Sequence, residues 1–221
     1  EYVSILFTVF CLIVLINGSN FIDGVNLNTI GYFAMVYAFI IYLSTSNNFI
    51  VNIDFLLNFL ITLIFLLILN SLDKTLLGDG GAYLLGFFTA IYLIGWLNSN
   101  NSISPYFIIL LLWYPCFENL FSIIRKKYQN KKITTADNLH LHQLIFIFLK
   151  KKKRYNTNNL SGLIICFFNL PTFILGTIFY DKTKILLSII VINILLYVYI
   201  YNKLIIYLKN NNLFQKKSFE S

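Results

Sequence analysis

Asn17, Asn20 and Gly24 stand at i, i+3 and i+7 in the stretch NGSNFIDGVNLN, residues 17–28, with Asp23 beside Gly24. On a continuing helix this spacing lines two amides and a carboxylate along one side, a set able to hold a nucleotide or the water shell of a metal ion. The same residues also read as a helix end whose asparagines satisfy free backbone carbonyls, Asp23-Gly24 making the turn. A second candidate is GDGG at 78–81, where Asp79 sits between glycines just ahead of an apolar run from Ala82. A hard divalent cation takes one or two carboxylates plus phosphate oxygens, and glycines let a diphosphate approach a helix N-terminus. An aspartate capping a membrane helix would look the same. The third candidate is His140 and His142, the two histidines of the chain. In an extended segment they point the same way, and imidazoles can bond a phosphate or move a proton near neutral pH. A plain surface pair remains the other reading.

Two common chemistries lack the residues they need. No Gly-Lys-Ser or Gly-Lys-Thr follows a glycine loop, so this is not a nucleotide-triphosphate P-loop. No further His or Cys stands near His140 and His142 in a zinc spacing. Cys11, Cys116 and Cys166 lie in apolar segments and read as packing residues. Glu118, beside Asn119 in WYPCFENLFSIIRKK, is an ionisable group in an apolar segment, where it is expensive, and should face the bundle or a polar cavity.

The elements that must position these residues are membrane helices. With 58% hydrophobic and 12% charged residues and a mean hydropathy of +0.73, the chain is too apolar for an ordinary soluble domain. Apolar runs near the roughly 20 residues needed to span a bilayer predict about seven transmembrane helices, at 2–16, 29–45, 50–71, 82–98, 106–124, 160–179 and 185–207. Helices are required because lipid offers the backbone no partners and the alternation of a barrel strand is absent. The expected fold is therefore an all-α polytopic membrane helix bundle, a single membrane domain over 1–221. The predicted 125–159 connection holds ten of the 17 Lys and Arg residues. Those charges place this basic loop in the cytoplasm, together with 17–28, 72–81 and the tail at 208–221. Connections 46–49, 99–105 and 180–184 fall outside, although Lys182 and Lys184 run against the rule. The three polar clusters thus share the cytoplasmic face. The basic charge reads as membrane-directed, with no nucleic acid as partner. No basic leader or cleavage site opens the chain. Its first residue is Glu1 and its one methionine is Met35, so it reads as the C-terminal part of a longer protein.

Taken in order, NGSNFIDG, LLGDGGAYLLGF and ADNLHLHQLI resemble the polyprenyl-phosphate N-acetylhexosamine-1-phosphate transferases of glycosyl transferase family 4. ISPYFIILLLWYPCFENLFSIIRK, between the second and third motifs, is similar to the branch serving O-antigen and related surface glycans. The resemblance implies transfer of a sugar 1-phosphate from a UDP-N-acetylhexosamine to undecaprenyl phosphate, with release of UMP, at the inner face of the bacterial cytoplasmic membrane. It implies Mg²⁺, with Mn²⁺ as the alternative ion, and is compatible with a homodimer. By the same resemblance Asp79 is the metal ligand and, with Asp23, catalytic. Asn17 and Asn20 line the nucleotide and metal site, Asn20 as a further metal ligand. Gly24 to Asn26 approach the uracil, and His140 and His142 contact the donor phosphate or sugar. Three departures stand out. Asn26 replaces the second aspartate of many relatives, Gln143 stands where some have a further histidine, and no Asp-Asp pair occurs in the chain. In a longer protein that pair would lie upstream of Glu1. A second reading is of another class: a non-catalytic membrane protein of the same ancestry that binds polyprenyl lipids or partner subunits.

Overall fold

Long runs of Leu, Ile, Phe and Val pair their backbone polar groups within each segment only as helices, and helices are what form. The computed structural model describes residues 2–130, 132 and 139–211. Its helices are α1 (Tyr2–Phe21), α2 (Asn28–Asn47), α3 (Ile53–Ser71), α4 (Gly78–Ser99), α5 (Pro105–Leu111), α6 (Trp113–Tyr128), α7 (Leu141–Lys151), α8 (Thr157–Ile178) and α9 (Thr183–Asn210). There is no strand among the described residues. The protein is a polytopic, multi-pass membrane helix bundle. Among the described residues five helices are long and apolar enough to cross a membrane, six if α5 and α6 make one span, while the apolar part of α1, Ile5–Phe21, is shorter.

α1 packs on α4 and α6, α2 on α3 and α8, and α7 on α8 and α9. Small residues let these helices approach. A Cβ on Gly18 would stand 2.2 Å from the Pro115 carbonyl oxygen, and one on Gly86 2.5 Å from Ser19 Oγ. In lipid, where apolar surfaces gain little by meeting, close backbone approach of this kind drives association. Tyr32, Phe33, Phe107, Tyr114 and Phe173 fill the centre, all wholly buried.

Two features depart from the sequence expectation. The span expected at 106–124 is broken, α5 and α6 meeting at Leu112 with a bend of 70°. Pro115 explains part of it, because it has no N–H to give to the carbonyl four residues back. That carbonyl, Leu111 O, accepts instead from the Tyr32 hydroxyl at 2.8 Å. The second feature is α7, inside the segment expected to be a loop at 125–159. Leu141, Leu144, Ile145 and Leu149 form one buried stripe at helical spacing, and Lys150 and Lys151 occupy the last turn, where they oppose the helix dipole. The same segment also includes the end of α6 and the start of α8.

The connections collect at two ends. At one, Asn100 bonds the backbone of Ile50 in both directions, and Ser104 pairs with Thr183. At the other, the 22–27 turn, the 72–77 connection, the start of α7 and residues 156–159 meet. Of the expected tail, Asn211 bonds Lys151 at this end, and 212–221 lie outside the described residues.

Candidate functional site

The polar end is built around the turn from α1 to α2. α1 runs beyond the expected boundary at 16, so Asn17 and Asn20 occupy its last turns and Asp23 and Gly24 the turn itself. Asn17 Nδ2 donates to its own helix at Ile13 O, 2.8 Å, as a helix-end asparagine would. Asn20 Nδ2 reaches across to the Tyr83 hydroxyl on α4 at 3.1 Å, which ties the first motif to the second. Tyr83 lies one turn after Asp79.

Asp79 does not cap α4. The capping position is Leu77, without a side-chain bond, and Asp79 is an exposed residue of the first turn. Its charge reaches Asp23. The Asp23 carboxyl is pushed up to about 6, chiefly by burial and further by the negative charge of Asp79, while Thr29 and the Gly78 backbone oppose the shift. Two carboxylates from separate motifs thus share one field at this end of the bundle. Among the described residues no group of three His, Cys, Asp or Glu side chains converges as a self-sufficient metal site.

Asn26 is turned inward. It is 4% exposed, and its amide donates to Asp73 Oδ1 at 2.5 Å and to Asn159 Oδ1 at 2.9 Å. Its backbone N–H donates to Asn158 Oδ1, while Asn70 Oδ1 accepts from Leu27 N. This amide network clamps the 22–27 turn to the 72–77 connection and to α8. It also gives a physical reason for Asn in place of Asp here: a second carboxylate would face Asp73 directly.

The third motif joins the same end. A Cβ on Gly24 would fall 2.2 Å from Nε2 of His142, so the imidazole fills the space that only glycine leaves. His142 is 0% exposed, neither of its nitrogens has a partner among the described residues, and burial pulls its pKa down to about 3, so the ring is neutral. His140 is different. It precedes α7 in an extended conformation, retains 6% exposure, and its ring lies parallel to that of His142, 5.8 Å between centroids. Its backbone N–H donates to Gln143 Oε1 at 3.3 Å, so Gln143 closes the start of α7. Ala136, Asp137 and Asn138 of this motif lie outside the described residues.

Sequence reasoning marked Glu118 as a costly ionisable residue without naming its partner. It is 1% exposed on α6 and accepts from His140 Nδ1 at 3.0 Å. Tyr83 and Thr29 were equally unforeseen, because nothing in local spacing brings them to Asn20 and Asp23.

A multi-pass α-helical membrane protein that gathers carboxylates, amides and imidazoles at one end of its bundle is the class these features define. Residues 1–97 match the model of glycosyl transferase family 4, so this part of the chain is similar to that family. The match takes in Asp23 and Asp79 and ends within α4. No curated protein and no solved structure matches the chain at a significant level.

Proposed function

We propose that the chain is part of an enzyme that transfers N-acetylhexosamine 1-phosphate from a UDP-sugar to undecaprenyl phosphate, releasing UMP and starting a lipid-linked surface glycan such as O-antigen, at the cytoplasmic face of a bacterial inner membrane. The observation that carries this reading is the convergence of Asp23, Asp79 and the His140–His142 segment, far apart in sequence, at one end of a membrane bundle. A membrane lipid acceptor and a water-soluble nucleotide donor can meet only at such a boundary. The new bond joins an acceptor phosphate oxygen to the donor phosphorus that bears the sugar, and the bond to UMP breaks. Phosphoryl transfer of this kind is mainly positioning and neutralisation of charge.

The donor set suits a hard cation. Asp79 is open to solvent, Asp23 resists ionisation beside it, and Asn20 adds an amide oxygen. These are the oxygen ligands that Mg²⁺ or Mn²⁺ prefers while keeping waters and phosphate oxygens. When bound, the ion supplies positive charge against the diphosphate. Asp79 and Asn20 would hold it, with Asp23 adjacent, and His140 would meet donor phosphate or sugar. Asn17 lines the same last turns of α1. His142 and Asn26 act from beneath, His142 by filling the space under Gly24 and Asn26 by clamping the turn.

The test is Asp79→Asn in the full protein, supplied with UDP-N-acetylglucosamine and undecaprenyl phosphate. Because Asp79 is exposed, membrane insertion and thermal stability should be unchanged while UMP release falls by about 100-fold or more. Near-wild-type turnover would refute the assignment. If the wild-type protein binds undecaprenyl phosphate but releases no UMP and ignores the nucleotide sugar, the chain is a lipid-binding scaffold instead.

A further inference from the structure

The Glu118 carboxylate lies inside the bundle, 1% exposed, on the helix that follows the 70° break. A charge there is tolerated only if its oxygens are occupied. Both are. Oε1 accepts from His140 Nδ1 at 3.0 Å and from the Leu141 backbone N–H at 3.3 Å, and Oε2 accepts from the Tyr197 hydroxyl of α9 at 2.7 Å. A carboxylate can only accept, so the hydrogen between it and His140 resides on Nδ1. The ring is held from its faces as well, by Phe21 at 5.2 Å between centroids and by the parallel ring of His142. Among the described residues, Nδ1 is the ring nitrogen with a hydrogen-bond partner and Nε2 has none.

We propose that Glu118 is a positioning residue for His140: it fixes the Nδ1–H form and the ring orientation, and so presents the Nε2 lone pair to a sugar hydroxyl of the bound nucleotide sugar, with Tyr197 steadying the carboxylate. The identity of the ligand rests on the transferase reading; the orientation of His140 does not. The break between α5 and α6 has a role in this arrangement. It redirects α6 so that its polar face, with Glu118, Asn119 and Ser122 buried, runs to the start of α7.

A competing explanation is that Glu118 only caps α7 through Leu141 N–H. The two separate in a mutant cycle on the full protein, read by UMP release from UDP-N-acetylglucosamine. Removal of an orienting partner behind a metal-ligating histidine typically costs about 10–100-fold; by analogy Glu118→Ala should lose a comparable factor in kcat/KM, with Glu118→Asp recovering part. In a His140→Ala background the same Glu118→Ala change should add less than about twofold, because there is no ring left to orient. Tyr197→Phe is the milder variant if Glu118→Ala fails to fold, and its loss should likewise vanish without His140. Histidine ¹⁵N spectra of the full chain, with the His140 signals identified by their loss in His140→Ala, should show Nδ1 protonated in the wild type and a changed tautomer balance in Glu118→Ala. Additive losses in the cycle, or unaltered His140 signals in Glu118→Ala, would overturn the proposal. If the wild type releases no UMP, the transferase reading fails alone, since the nitrogen spectra still decide whether Glu118 orients His140.

Discussion

Gly24→Ala probes the junction of the first and third motifs with a single methyl group. The added Cβ would lie 2.2 Å from Nε2 of His142, 3.0 Å from Cδ2 and 3.3 Å from Cε1, where ordinary contact begins at 3.4 Å, so the two must separate by about 1.2 Å. The imidazole has nowhere to retreat. It is 0% exposed, stacked against His140, and carried by a helix packed on α8 and α9. The 22–27 turn must therefore move, taking Asp23 with it. Overpacking of this kind costs about 1–3 kcal/mol, and displacement of a reacting group by about 1 Å costs up to about 100-fold in rate. Thermal unfolding in detergent and UMP release, measured on the same preparations, give the two readouts. Gly24→Ala should melt several degrees lower than wild type and turn over roughly 100-fold more slowly. In a His142→Ala background the ring is gone, and Gly24→Ala should then cost almost no further stability. Equal losses of stability in the two backgrounds, or a Gly24→Ala protein indistinguishable from wild type, would show that His142 does not lie against this turn.

Asn26→Asp would set a second carboxylate against Asp73, now 2.5 Å from the Asn26 amide, and strip a donor from Asn159. It should destabilise the protein by about 1–3 kcal/mol, with Asp73→Asn restoring most of the loss; a variant as stable as wild type in thermal unfolding would contradict the clamp. Asp23 ionises at about 6 in the fold against an ordinary 3.8. The fold thus favours its protonated form, and this contribution to stability is present below pH 3.8 and lost as the pH rises through about 6. Asp23→Asn should flatten that part of the melting profile relative to wild type. A cation at the two carboxylates competes with the same proton, so Mn²⁺ binding should strengthen across the same pH window and lose that dependence in Asp23→Asn.

Composition and run length by themselves determine the class of fold, because a chain this apolar must satisfy its backbone internally and only helices do so locally. Spacing also marked Asn20, Asp23, Asp79 and the two histidines, since residue type and neighbouring glycines are local properties. The break at Leu112 was less legible: Pro115 is visible in the sequence, but the Tyr32 hydroxyl that accommodates it comes from another helix. The helical face of α7 was obscured by the basic residues around it. Which polar group meets which was decided only by tertiary packing. Asn26 faces Asp73 instead of an open site, His142 is sealed beneath Gly24, and Glu118 selects one nitrogen of His140. Each of these contacts joins residues separated by tens of positions, and their partners are set by where helices cross, which local propensity and hydropathy do not encode.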